Sequence, residues 1–132
     1  NKPPQFVDIV HSDSVSAPPP ESRVGALVQV LVHEDQSLDD IVFVRMEWEK
    51  PDGTYSQNSP FDLYDNGLPL DEENLTGWNQ GYRGNITAGD GIYSITAMFD
   101  DDDMLGDYKL TFFSQDFAGN KSERVTTTIT LY

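Results

Sequence analysis

Apolar residues recur at every second position in several short runs of this 132-residue chain, and this alternation constrains the fold more than any other feature. In Ala26–His33 the side chains of Val28, Val30 and Val32 fall on one face. A period of two is typical of β-strands with one buried face, whereas no stretch sustains the 3.6-residue period of an amphipathic helix. The predicted strands are Phe6–Val10, Ala26–His33, Ile41–Trp48, Phe61–Tyr64, Ile92–Met98, Tyr108–Phe113 and a last strand from Val125 to Leu131.

The run Ile41–Trp48 shows the expected division into two faces most clearly, with Arg45 and Glu47 predicted to point outward. Turn-forming residues separate most of the strands, as in the Pro51–Thr54 sequence PDGT. About seven short strands with turns between them predict an all-β antiparallel sandwich. The residues predicted to point inward from this run are Val42, Val44, Met46 and Trp48, and Trp48 is expected to fill the space between the two sheets.

The length of the chain is sufficient for a single domain with its own hydrophobic core. Prolines at positions 3 and 4 indicate a linker over residues 1–5, and residues 6–132 are expected to form one domain. The chain has no cysteine, which excludes disulfides and thiol catalysis. This composition is compatible with an exported bacterial domain.

The charge balance is strongly negative, with 23 acidic residues against 8 Lys and Arg and a formal net charge of −15. Nucleic acids and anionic membrane surfaces attract Lys and Arg, so neither is an expected partner. No apolar run approaches the roughly 18 residues that a membrane span requires, so direct membrane insertion is not expected. An acidic surface favours either cation binding or simple solubility.

Three phrases of the sequence resemble bacterial immunoglobulin-like domains of secreted and surface proteins. They are SPFDLYDNG, AGDGIYS and YKLTFFSQDFAGNKS, and the similar stretch runs from about Ala26 to Tyr132. The resemblance implies an immunoglobulin-like, Greek-key sandwich in a secreted or cell-surface protein, either periplasmic or anchored to the outer membrane as a lipoprotein. The segment Leu68–Arg83 is longer than the corresponding loop in such domains.

The wiring of a seven-stranded sandwich predicts which loops meet at each end. The loop Glu34–Asp40, the connection Asp65–Gly91 and the hairpin Asp116–Lys121 are expected at one end, with acidic and Asn side chains in each. Calcium takes six to eight oxygen ligands, and glycines beside two of the acids let backbone carbonyls turn inward. The predicted calcium ligands are Asp65, Asn66, Asn85 and Asp90.

A second interpretation of the same loops needs no ion. Asp and Asn form Asx turns and tolerate left-handed backbone, and this is the better explanation for Asn120 and Asp116. The acidic run Asp100–Asp103 does not match an EF-hand, because Phe112 occupies the position of the bidentate Glu. That run is expected to be a solvated hairpin tip.

Two aromatic residues in the long connection, Trp78 and Tyr82, are candidates for stacking against a carbohydrate. The alternative is that Trp78 folds back over the end of the sandwich. The only histidines, His11 and His33, lie on separate predicted strands without a paired carboxylate at triad spacing. No enzymatic activity is therefore expected.

The combined expectation is a non-catalytic extracellular or cell-surface spacer or adhesion-type module, stabilised by Ca²⁺. The alternative is a carbohydrate-binding module that uses Trp78 and Tyr82. The expected partners are other domains of a larger surface protein or an extracellular ligand.

Overall fold

The computed structural model describes residues 2–35, 37–57, 59–67 and 88–132. In these residues eight strands alternate with turns, and a short 3₁₀ turn at Leu38–Asp40 precedes the fourth strand. The strands are β1 (Gln5–Val10), β2 (Ser14–Val15), β3 (Arg23–His33), β4 (Ile41–Glu49), β5 (Phe61–Asp62), β6 (Ile92–Asp100), β7 (Gly106–Asp116) and β8 (Val125–Leu131).

The strands form two sheets of unequal width. The three-stranded sheet has the order β1-β3-β6, and the five-stranded sheet has the order β2-β8-β7-β4-β5. Their packing confirms the predicted all-β, immunoglobulin-like sandwich. One pairing departs from the antiparallel expectation: β2 runs parallel to β8, because the chain leaves the three-stranded sheet after β1 and joins the edge of the other sheet.

The inner rows of both sheets form one core, as the alternation predicts. Val28, Val30 and Val32 of β3 are at most 3% exposed, and Phe99 of the neighbouring strand β6 is fully buried. Trp48 is 9% exposed, which confirms its predicted position in the core. It packs against Phe99 and Tyr108 with ring centroids 5.5 and 5.2 Å away, so strands of both sheets share this aromatic cluster.

One inward prediction was wrong. Val42 is 45% exposed, whereas Val44, two residues later, is buried. The register between β4 and β7 shifts between Ile41 and Phe43, which marks a β-bulge. A bulge adds a residue to one strand and breaks the two-residue alternation there, so Val42 turns outward.

The two ends of the sandwich carry different ends of the chain. At the first pole Gln5 of β1 pairs with His33, the last residue of β3. At the second pole Leu131 of β8 pairs with Gly106, the first residue of β7. Since β3 spans 11 residues, the poles are roughly 35 Å apart. The chain therefore enters the sandwich at one pole and leaves it at the other.

The described parts of the three connections that were expected at one end meet at the first pole. Gly91 accepts a hydrogen bond from Val32 at the first pole, where Asp116 also pairs with Ile41. Arg23 pairs with Asp100 at the second pole. No helix in the described part of the chain is long and apolar enough to cross a membrane.

Candidate functional site

The first pole gathers acidic side chains from three connections. The β3–β4 connection is held by Ser37, whose hydroxyl oxygen accepts a hydrogen bond from Asp39 N at 3.0 Å. The β7–β8 hairpin joins it through Phe117 N, which donates to the carbonyl of Asp40 at 2.9 Å. The third connection reaches this pole through Asp65 and Asp90.

Asp65 ties the start of its long connection to the end of that connection. Its Oδ1 accepts a hydrogen bond from Gly89 N at 3.0 Å, and its Oδ2 accepts one from Gly91 N at 2.8 Å. Both glycines have positive φ, 76° and 84°, so their N–H groups turn toward the carboxylate at little steric cost. Asp90 Oδ1 accepts from Ile92 N at 3.0 Å, which is the geometry of an Asx turn.

The Asp65 and Asp90 carboxylates also interact with each other. Partial burial raises the pKa of Asp65 above its usual value; the Gly91 N–H lowers this pKa, while the hydrogen bond and negative charge of Asp90 raise it. Nearby, burial and the charges of Asp65 and Asp39 raise the pKa of Tyr93 to about 12. Both shifts reflect negative charge concentrated in a partly desolvated region.

The structure describes part of the predicted calcium set. Asp65, Asn66 and Asp90 lie together at the first pole, with Asn66 half-buried directly after Asp65. Asn85 lies outside the described residues, as do Trp78 and Tyr82 of the predicted carbohydrate surface. In the described residues, each of the two acids retains acceptor capacity beyond its backbone hydrogen bonds, because a carboxylate has about four lone-pair sites. The donor chemistry therefore fits a hard cation such as Ca²⁺.

A second acidic group, Glu34, Asp40 and Asp116, lies at the same pole. One carboxylate oxygen from each residue is within 4.8 Å of the other two. Glu34 is 7% exposed and Asp116 is fully buried, whereas Asp40 is half-buried. Like charges this close repel each other in a region of low dielectric.

Asp116 is held mainly by the hairpin that it begins. Its Oδ1 accepts from Asn120 N at 2.8 Å and its Oδ2 accepts from Asn120 Nδ2 at 3.0 Å. Burial works to raise the pKa of Asp116, but these bonds and the N–H groups of Ala118 and Gly119 outweigh burial and lower this pKa. Asp116 and Asn120 therefore form the local hydrogen-bonded turn that was predicted for them.

Sequence reasoning placed Asp40 and Asp116 at this pole but missed Glu34 as an inward-facing residue. The signal was present in the alternation itself. Extending the row of Val28, Val30 and Val32 by one more step predicts that Glu34 faces inward. In β7 the row of Tyr108, Leu110 and Phe112 leads in the same way to buried Ser114 and Asp116.

The histidines and the acidic run have hydrogen-bond partners within the protein. His11 Nε2 lies 2.9 Å from Thr127 Oγ1, and His33 Nε2 lies 3.1 Å from Asp35 Oδ1 on the exposed surface. In the acidic run, Asp103 Oδ2 accepts from Asp100 N at 2.6 Å, which closes the β6–β7 turn. The run is a hairpin tip, as predicted.

Comparisons with known proteins support the fold. No family model and no curated protein matches the chain. Among solved structures, the PKD domain of an M14-like peptidase from a Thermoplasmatales archaeon aligns with a TM-score of 0.52 and 12% identity, covering 99% of this chain and 97% of that one. A Niemann-Pick type C2 protein from the Japanese carpenter ant aligns with a TM-score of 0.47 and 12% identity, covering 99% and 94%. The first similarity supports the immunoglobulin-like sandwich.

Proposed function

We propose that this chain is a non-catalytic module of a larger secreted or cell-surface protein, where it acts as a spacer or in adhesion. The observation that carries the proposal is the entry of the chain at one pole and its exit at the other. Modules with this geometry add their full length when they are joined end to end. Each copy would extend such a protein by roughly 35 Å.

The surface charge suits this role. A net charge of −15 makes neighbouring modules repel each other and keeps them hydrated, which favours an extended arrangement. The proposed setting is the outside of a bacterial cell, in a periplasmic or outer-membrane-anchored protein. The absence of cysteine agrees with a domain whose stability comes from its core rather than from disulfides.

The alternative function is carbohydrate binding through Trp78 and Tyr82, and a glycan array separates the two. The spacer proposal expects no reproducible signal from the wild-type domain. A reproducible glycan signal that Trp78→Ala abolishes would replace the spacer with a lectin-like module. Antibody labelling of intact source cells tests the setting independently, since a surface protein is labelled without permeabilisation.

We further propose that Ca²⁺ stabilises the module at Asp65 and Asp90, with Asn66 and Asn85 as additional ligands. The support is the close approach of the two carboxylates in a partly desolvated region, where a divalent ion converts repulsion into attraction. An ion that binds only the folded state stabilises it by about 2.7 kcal/mol at a hundredfold excess over its dissociation constant.

Thermal melts with calcium and with chelator, at matched ionic strength, test the calcium proposal. We expect calcium to raise the melting temperature of the wild type and of Asp102→Asn, which removes an acid at the second pole. Asp90→Asn should lose the shift. A shift that survives Asp90→Asn but disappears in Asp40→Asn would assign the ion to the group of Glu34, Asp40 and Asp116 instead. No shift in the wild type would leave Asp65 and Asp90 as turn-forming residues.

A further inference from the structure

The unequal widths of the two sheets leave a cleft at one side of the sandwich. β6 is the outer strand of the three-stranded sheet, and β5 is the outer strand of the five-stranded sheet. Between them lies a cleft of about 300 Å³. Its lining residues are Arg23, Met46, Trp48, Ser56, Phe61, Ile95, Thr96, Ala97 and Met98.

The walls of the cleft are mainly aromatic and aliphatic. Trp48 of β4 and Phe61 of β5 supply two aromatic rings from the five-stranded sheet, and Met46 of β4 adds a thioether. Ile95 and Ala97 of β6 form the facing wall, and Met98 adjoins it from the other face of the strand. Thioethers adapt their shape to a ligand and make favourable contacts with aromatic rings. These walls fit a flat apolar molecule.

The charged group at the cleft does not favour an anion. Arg23 Nε lies 2.7 Å from Asp100 Oδ1, so the guanidinium charge is compensated by a carboxylate of the same protein. The net charge of −15 adds a repulsive field for anions. Ser56 and Thr96 add neutral polar residues to the lining. A neutral ligand therefore matches the electrostatics better than a carboxylate or a phosphate.

The volume sets the size of the ligand. An apolar cavity of about 150 Å³ in a protein interior is sufficient to hold benzene, so about twice that volume suits two fused rings. We propose that the cleft between β5 and β6 binds a neutral aromatic molecule of two fused rings. This is a ligand-binding activity beyond the spacer role, and the lining of the cleft includes neither Asp65 nor Asp90.

The three methionines of the chain provide the test. Met46 and Met98 line the cleft, whereas Met104 lies on the β6–β7 turn and is 43% exposed. The protein is labelled with methyl-¹³C methionine and titrated with 2-naphthol, a neutral two-ring compound. The methyl signals are assigned with Met46→Leu and Met98→Leu. We expect the Met46 and Met98 signals to shift and saturate while the Met104 signal stays in place.

The anion 2-naphthoate has nearly the same shape and carries a negative charge, so it tests the electrostatic part of the proposal. We expect its affinity to be weaker by about tenfold, which corresponds to about 1.4 kcal/mol. Equal affinity for the two compounds would overturn the preference for a neutral ligand. No saturable shift with 2-naphthol, or an equal shift at Met104, would overturn the site itself.

Two variants that fill the cleft locate the binding. Ala97→Leu adds volume to the β6 wall, and Ser56→Phe adds a ring where the residue is half-buried. Leu105→Phe is the matched control, because Leu105 is 59% exposed and does not line the cleft. Both filling variants should lose the 2-naphthol shift and the control should keep it. If Ala97→Leu does not fold, the half-buried Ser56→Phe decides, and unchanged binding there contradicts the proposed location.

Discussion

Replacing Phe99 by Ala tests whether the aromatic cluster between the sheets holds the sandwich together. Phe99 is fully buried, and its ring centroid lies 5.5 Å from that of Trp48 and 5.2 Å from that of Tyr108. The substitution removes an apolar ring from the core and leaves a cavity. It also breaks two ring contacts that link β6 of one sheet to β4 and β7 of the other.

The expected loss in the free energy of unfolding follows from two contributions. Burial of a Phe side chain is worth up to about 3 kcal/mol. A residual cavity of roughly 100 Å³ costs about 2.4 kcal/mol at 24 cal/mol per Å³, with less where the neighbours collapse into the space. Together they predict a loss of about 4 to 5 kcal/mol, which agrees with the range of about 3 to 5 kcal/mol typical of Phe→Ala in cores.

Urea unfolding followed by far-UV circular dichroism measures this loss without relying on the fluorescence of Trp48, which contacts the mutated site. With a slope of about 1.5 kcal/mol per M, the midpoint should fall by about 3 M. Phe117→Ala is the matched control, because Phe117 is 71% exposed, and its effect should stay within about 0.5 kcal/mol. A loss below about 1 kcal/mol for Phe99→Ala, or one no larger than that of the control, would refute the reasoning.

Three further predictions concern the poles. Hydrogen bonds lower the pKa of Asp116 despite its burial, so its contribution to the free energy of unfolding is present above the unfolded value of 3.8 and is lost as the pH falls through the folded pKa. In urea unfolding over a series of pH values, Asp116→Asn should therefore lose less stability in acid than the wild type does. An equal loss in the two proteins contradicts the assignment. The pKa of Asp65 is raised, so the folded state binds its proton more tightly than the unfolded state does, and the stability that this proton contributes is lost as the pH rises above 3.8. The stability of the wild type relative to Asp65→Asn should therefore fall over this pH range. A rise would be inconsistent with burial as the main cause of the shift. Gly106 has φ 130°, and an added Cβ would lie 3.0 Å from Pro51 Cβ, whereas Gly53 has φ 85° and an added Cβ there would meet no atom within 4 Å. Calorimetry should therefore show a loss in the free energy of unfolding of about 2 kcal/mol or more for Gly106→Ala and of about 1 kcal/mol for Gly53→Ala. Equal losses would mean that the contact with Pro51 relaxes.

The candidate sites were only partly accessible to sequence reasoning. The clustering of Asp40 and Asp116 at one pole followed from strand order and from the positions of loops along the chain. That Asp65 binds the backbone of Gly89 and Gly91 depends on how a connection of more than 20 residues closes, and no local pattern encodes that closure. The cleft was invisible in the sequence, because it results from two edge strands of different sheets.

The sequence by itself determined the strands other than β2 and the direction of most of their side chains. The reason is that side-chain alternation in a strand is a local property, set by the pleat of the backbone. This alternation placed Trp48 in the core. Extending the row of Val28, Val30 and Val32 by one step gives the inward position of Glu34.

Only the tertiary structure decided how the strands divide between two sheets of three and five, and where the alternation fails. The bulge that exposes Val42 arises from the register of β4 against β7, which lies about 70 residues later in the chain. The parallel pairing of β2 with β8 joins residues near opposite ends of the sequence. Pairings over such separations depend on which backbone groups and apolar faces remain available once the other strands have packed, so they belong to the assembled sandwich rather than to any segment of it.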